Sequence, residues 1–140
     1  MKNTLVIKSD RLRTTVYLIS IGLIAAVWLI NGMFCKVLMM VPRHAEIVAA
    51  ITGSEYAIPL TRGIGIGETI FALWIVSGYR PRTAVLAQVV LIGVMNIIEF
   101  FTVPQLLIWG QLNLVFAVIF ILFILFNEFI LRPDQLNTVS

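Results

Sequence analysis

Residues 112–131 read LNLVFAVIFILFILFNEFIL, and this run decides the solvent in which the chain folds. Its single ionisable residue, Glu128, lies near one end. About 20 such residues, rising ~1.5 Å each as a helix, cross the ~30 Å hydrocarbon core of a bilayer. Three further apolar runs precede it, at about 14–36, 59–77 and 82–101. Pro42, Pro59, Pro81, Pro104 and Pro133 all fall at the ends of these runs or outside them. Proline lacks the amide proton that a helix interior needs, so this placement predicts four unbroken helices. The composition agrees, with 60% hydrophobic and 12% charged residues, against ~45–50% apolar and ~25% charged in soluble domains. A soluble fold built from it could not cover its own surface, which excludes intrinsic disorder and an ordinary cytosolic enzyme. The expected fold is all-α: one integral membrane domain over 1–140, a four-helix bundle.

The first run has a basic start, Lys2, Lys8, Arg11 and Arg13. It is longer than the ~7–15 apolar residues of a signal peptide and has no A-x-A-like cleavage site, so it reads as a retained helix. Basic residues also set the orientation. Seven of them (those four with Arg80, Arg82 and Arg132) fall on one side of the expected bilayer, against Lys36, Arg43 and Arg62 on the other. Positive short loops stay inside, which puts both termini in the cytoplasm. Between the first two runs, residues 42–52 start with proline and precede Gly53, with His44, Ile47, Val48 and Ile51 on one side. That pattern predicts a short amphipathic helix on the outer membrane surface.

Ionisable groups near a bilayer centre cost about 2.5–3.5 kcal/mol on insertion scales, so they carry the most information. Glu68 lies roughly 14 Å into the second helix, close to the midplane. On the predicted topology the outer half collects Asn31, Lys36, Arg62, Glu68, Asn96, Glu99, Gln111 and Asn113. Gln88, Ile92, Asn96 and Glu99 recur at helical spacing and share one face. Arg62 and Glu68 lie about 240° apart around their helix, so Glu68 is expected to meet Lys36 or Asn31 instead. A cluster of this kind serves either as a ligand pocket, as packing specificity between helices, or as an ion or proton path.

Other chemistries are excluded or reduced. One cysteine, Cys35, forbids an internal disulfide, and one histidine, His44, forbids an HExxH metal site. Cys35 reads as small packing material and His44 as a solvated interfacial residue. No basic run interleaves with aromatics, so nucleic acid is not a partner. Gly63-Ile64-Gly65-Ile66-Gly67 lacks the third glycine of a dinucleotide loop, but Gly63 and Gly67 form a GxxxG pair suited to close helix approach or dimerisation. Tyr56, Trp109, Phe100 and Phe101 on the outer side and Tyr17 and Tyr79 inside read as interfacial belts, and Asn127 with Glu128 as a solvated boundary.

Val27-Trp28-Leu29-Ile30-Asn31-Gly32-Met33-Phe34-Cys35-Lys36 followed by Val41-Pro42-Arg43-His44 resembles the DoxX-like membrane proteins. So do Gly65-Ile66-Gly67-Glu68 and Asn96-Ile97-Ile98-Glu99-Phe100-Phe101. The resemblance spans about Val27 to Leu131. It implies a four-helix bundle in a bacterial cytoplasmic membrane. The name-giving relatives are linked to thiosulfate:quinone oxidoreductase and others to assembly or redox stress, so a quinone and a redox partner subunit are what it suggests. It brings no catalytic residue set.

The leading functional expectation is a binding or accessory protein. It would hold a small lipophilic or quinone-like ligand, or a partner subunit, through Asn31, Lys36, Arg62, Glu68, Asn96 and Glu99. The chain shows no cofactor-ligating or metal-ligating set, and is not expected to be an enzyme on its own. Two alternatives stand beside this reading: a membrane subunit of a quinone-linked oxidoreductase, and a small proton-coupled transporter working through Glu68. The lipid bilayer is the one assured partner, and homo-oligomerisation is left open.

Overall fold

The structure, a computed structural model, describes residues 2–136, and every regular element among them is helical. Helix α1 spans Lys2–Leu29 and continues without a break as wider π-type turns over Ile30–Val37. Helix α2 covers Arg43–Thr52, α3 Ala57–Ser77 and α4 Pro81–Thr102. Short 3₁₀ turns at Pro104–Leu106 and Gly110–Leu112 lead into α5, Asn113–Phe126, which ends in π-type turns over Asn127–Leu131. Four helices are long and apolar enough to cross a membrane. The chain is an all-α membrane bundle, as its hydropathy predicts.

Two details depart from the expected boundaries. Helix α1 starts well before residue 14, because Lys2–Arg13 contains neither proline nor glycine to stop it. The four helices are continuous but not uniform, since the first and last change to i→i+5 bonding near their ends. The α3–α4 turn is tight, with Gly78 in the left-handed region that a Cβ disfavours (φ 68°).

Helix α1 and its π-type extension pack along α3, α4 packs against α5, and the last turns of α5 return to α1. Ile24, Ala25, Trp28, Ala72, Ile75, Val85, Ile92, Ala117 and Ile124 meet in the middle of the bundle. The outer face is apolar too: Leu23, Ile70, Leu73, Leu86 and Leu122 are all exposed. In lipid that face needs no cover, and helix association rests on close packing and interhelical polar contacts.

The closest approach involves Gly32 and Gly65. A Cβ added at Gly65 would lie 2.6 Å from the Gly32 carbonyl oxygen and 2.7 Å from Lys36 Cβ. One added at Gly32 would lie 2.6 Å from the Gly65 oxygen. The GxxxG reading is corrected here as regards helix approach inside the bundle. Gly63 and Gly67 have open space where a Cβ would go, because each sits two residues from Gly65 and so points away from α1.

The end of the bundle near residues 13 and 132 carries a polar network of its own. Tyr17 donates to Glu128 Oε2 at 3.1 Å, and Arg132 Nη1 donates to Glu128 Oε1 at 2.6 Å. Arg13 donates to the carbonyl oxygens of Ile130, Leu131 and Arg132 at 2.9, 3.2 and 2.9 Å. Asn127 is 1% exposed and Glu128 4%. These two are therefore not a solvated boundary, Tyr17 is not an interfacial belt residue, and buried polarity is not confined to one half. Arg13 and Arg132 cover the helix end, and Tyr17 packs beneath them.

Candidate functional site

Glu68 lies near the middle of α3 on its buried face, in the series Thr61, Gly65, Glu68, Ala72 and Ile75. The spacing of 4, 3, 4 and 3 residues keeps one stripe turned inward. Lys36 reaches it from the π-type turns opposite. Its Nζ donates to both carboxylate oxygens, at 2.5 and 2.7 Å, and both side chains are 8% exposed. The Gly32–Gly65 contact brings the two backbones near enough for this pair to close. A buried pair with both carboxylate oxygens engaged is neutral as a unit, as a low-dielectric interior demands.

Beside the pair lies a cavity of 470 Å³ between α1 with its π-type extension, α2, α3, α4, α5 and the loop before α5. Lys36 and Glu68 form one wall, Asn31 and Cys35 from the first helix another, and Asn96 and Glu99 a third. Val27, Trp28, Ile92, Phe116 and Phe120 make its apolar side, with the Trp109 and Phe116 rings 4.4 Å apart. Helix α2 contributes Arg43, His44 and Ile47. Below, Trp28 Nε1 donates to Gln88 Oε1 at 3.0 Å.

Five of the six predicted site residues line this cavity, and one does not. Arg62 is exposed, since it neighbours Thr61 on the helix and projects away from the stripe that holds Glu68. Gln111 is likewise exposed, outside the cluster it was grouped with, because the 3₁₀ turn at Gly110–Leu112 precedes the packed part of α5. Asn31 Nδ2 donates to the Val27 carbonyl at 3.0 Å, and Asn96 Nδ2 to that of Ile92 at 2.8 Å. Asn113 Nδ2 donates to Asn96 Oδ1 at 3.0 Å, which ties α5 to α4.

Sequence reasoning missed Arg43 and His44 as cavity residues. The predicted short helix is present as α2, and it packs against α3, buries Ile47 and leaves one side exposed. That seats His44 half-buried with its neighbour Arg43. Burial, and then the positive charges of Lys36 and Arg43, push the His44 pKa down to about 4. The imidazole is therefore neutral at pH 7. The start of the stripe was the signal: Ile47 is buried and His44 and Val48 are half-buried, while Ile51 stays exposed.

Hydrogen bonding within the cavity is incomplete. Among the described residues, Arg43 Nε is buried without a partner, and neither the Glu99 carboxylate nor the His44 ring makes a hydrogen bond or ion pair. No group of three or more His, Cys, Asp or Glu side chains among the described residues could hold a metal ion. The available chemistry is recognition through one cation, one carboxylate and one neutral imidazole beside an aromatic wall.

The DoxX-like family model matches residues 25–126, which takes in every cavity element from α1 to α5. No curated protein and no solved structure matches the chain.

Proposed function

Since the chain belongs to the DoxX-like family, a membrane family, we propose that it is a binding or accessory protein that holds a small lipophilic molecule with a polar head. The observation that carries this reading is the cavity itself. Its 470 Å³ falls within the ~300–1,000 Å³ of small-molecule sites. It also joins an apolar wall to polar groups that have no hydrogen-bond partner among the described residues. On the orientation given by the basic residues, the cavity lies in the half of the membrane away from the cytoplasm, with both termini inside.

A quinone is the guest that the family resemblance suggests. A flat ring would lie against Trp109 and Phe116, and a partner subunit would then carry any redox cofactors. The direct test is mass spectrometry of small molecules extracted from gently purified protein, with an absorbance spectrum. The expected result is one amphiphile per chain. It should be lost from Ala117→Phe, which puts a ring into the space while the fold, followed by thermal unfolding, is kept. A folded wild-type protein that comes out empty and colourless defeats the reading and shifts weight to a packing role for the polar cluster.

A further inference from the structure

Resting on that reading, we propose that the cavity is built for an amphiphile with a zwitterionic head, an anionic phosphate or carboxylate facing Arg43 and a primary ammonium facing Glu99. The argument begins with which polar groups are already engaged. Lys36 and Glu68 neutralise one another through two hydrogen bonds. Asn31 and Asn96 donate to carbonyls of their own helices, and Asn113 to Asn96. Of the charged groups, what remains is one cation and one carboxylate, Arg43 and Glu99, which form no ion pair with each other.

A guanidinium cannot shed its charge, and its fork suits phosphate or carboxylate oxygens. A partly buried carboxylate needs a donor, best a charged one. A purely anionic head would satisfy Arg43 and repel Glu99. A purely cationic head would do the reverse. A quinone, the guest that the family resemblance suggests, offers acceptors alone, so it engages Arg43 but gives an ionised Glu99 no donor. A head carrying both charges satisfies both ends and keeps the cavity neutral. His44 stands next to Arg43 and is uncharged at neutral pH, so it adds a hydrogen bond without a second positive charge. Val27, Ile92, Phe116 and Phe120 supply the surface for a chain leaving the head.

The chemistry is shared by aminophospholipid heads and by free zwitterions, and the experiment separates them. Native mass spectrometry of the detergent-purified protein is titrated with short-chain phosphatidylethanolamine, phosphatidylcholine and phosphatidylglycerol, and with free phosphoethanolamine. The expected order puts phosphatidylethanolamine about tenfold or more above the other two lipids, the effect of one charge-assisted hydrogen bond. Phosphatidylcholine fails because its quaternary nitrogen has no proton to give. Equal binding of free phosphoethanolamine assigns the site to a water-soluble zwitterion, and its absence assigns it to the lipid.

Glu99→Gln should erase the preference over phosphatidylglycerol, and Arg43→Gln should weaken all three lipids together. Equal affinity for the three lipids, or a preference that survives Glu99→Gln, overturns the proposal. Quenching of tryptophan fluorescence by a brominated neutral detergent reports the cavity separately. Quenching without head selectivity sinks the zwitterion and spares the pocket, while neither signal sinks both.

Discussion

Gly65→Ala places one methyl group where α3 crosses the first helix. Its Cβ would lie 2.6 Å from the Gly32 carbonyl oxygen, 2.7 Å from Lys36 Cβ and 3.0 Å from Val37 Cγ2. Ordinary contacts begin near ~3.5 Å, so the two backbones must part by about 0.9 Å. The oxygen belongs to the backbone and cannot rotate away. Overpacking of this kind costs about 1–3 kcal/mol. Alanine recovers up to ~1 kcal/mol over glycine in helix propensity, which leaves a net loss of up to about 2 kcal/mol against wild type and the full ~1–3 kcal/mol against alanine at a glycine that meets nothing. Gly63→Ala and Gly67→Ala carry the same propensity gain and meet nothing within 4 Å. Both should be neutral or slightly stabilising. The assay is reversible unfolding in bicelles by added dodecyl sulfate, with all three variants in one series. The reasoning fails if Gly65→Ala is as stable as Gly63→Ala and Gly67→Ala, which share its propensity gain without its contacts.

Glu68→Gln or Lys36→Met alone should lose about 3–5 kcal/mol in the same assay, because each strands a buried partner, whereas Lys36→Met with Glu68→Met should regain most of that loss. The depressed pKa of His44 means the unfolded chain takes up its proton near pH 6.5 and the folded one only near 4. Stability is therefore full above pH 6.5 and falls as pH drops toward 4. The linkage maximum of ~3 kcal/mol shrinks to on the order of 1 kcal/mol for a ring that water partly screens. Thermal unfolding at pH 7.5 and pH 5 checks this: His44→Gln should flatten the difference, and an unchanged difference assigns it to another group. Tyr17→Phe removes the hydrogen bond to Glu128 and should cost about 1.5 kcal/mol, while Tyr79→Phe, on an exposed residue, should stay within ~0.5 kcal/mol.

The four spans and the short helix were legible in the sequence because lipid imposes a length, and proline and glycine mark the ends. The Lys36–Glu68 pair was legible for a related reason, since a charge in the middle of a span needs a partner from another helix. Periodicity on α4 likewise placed Gln88, Asn96 and Glu99 on one face. Arg62 was misread because counting polar residues by depth ignores direction around the helix. Gly63 and Gly67 were misread as an approach site inside the bundle because a GxxxG pattern marks a face without saying what lies against it. The π-type turns leave no composition signal in Ile30–Val37, so the rotation they give Lys36 could not be foreseen. Arg43 and His44 were invisible as cavity residues because the choice between lipid surface and protein surface for α2 is tertiary.

Arg13 holds the carbonyls of residues 130–132 across sequence separations of 117 to 119 residues. At ribosomal speeds of ~5–20 residues per second, roughly 6–24 s pass between the making of one side of this clasp and the other. For that interval Arg13 lacks these three carbonyl acceptors and Tyr17 lacks its Glu128 partner. The closing helix is thus also the latch. A nascent chain that stalls before Ile130 keeps an unlatched arginine and the uncovered Tyr17 at its membrane boundary, a mark by which unfinished copies differ chemically from finished ones.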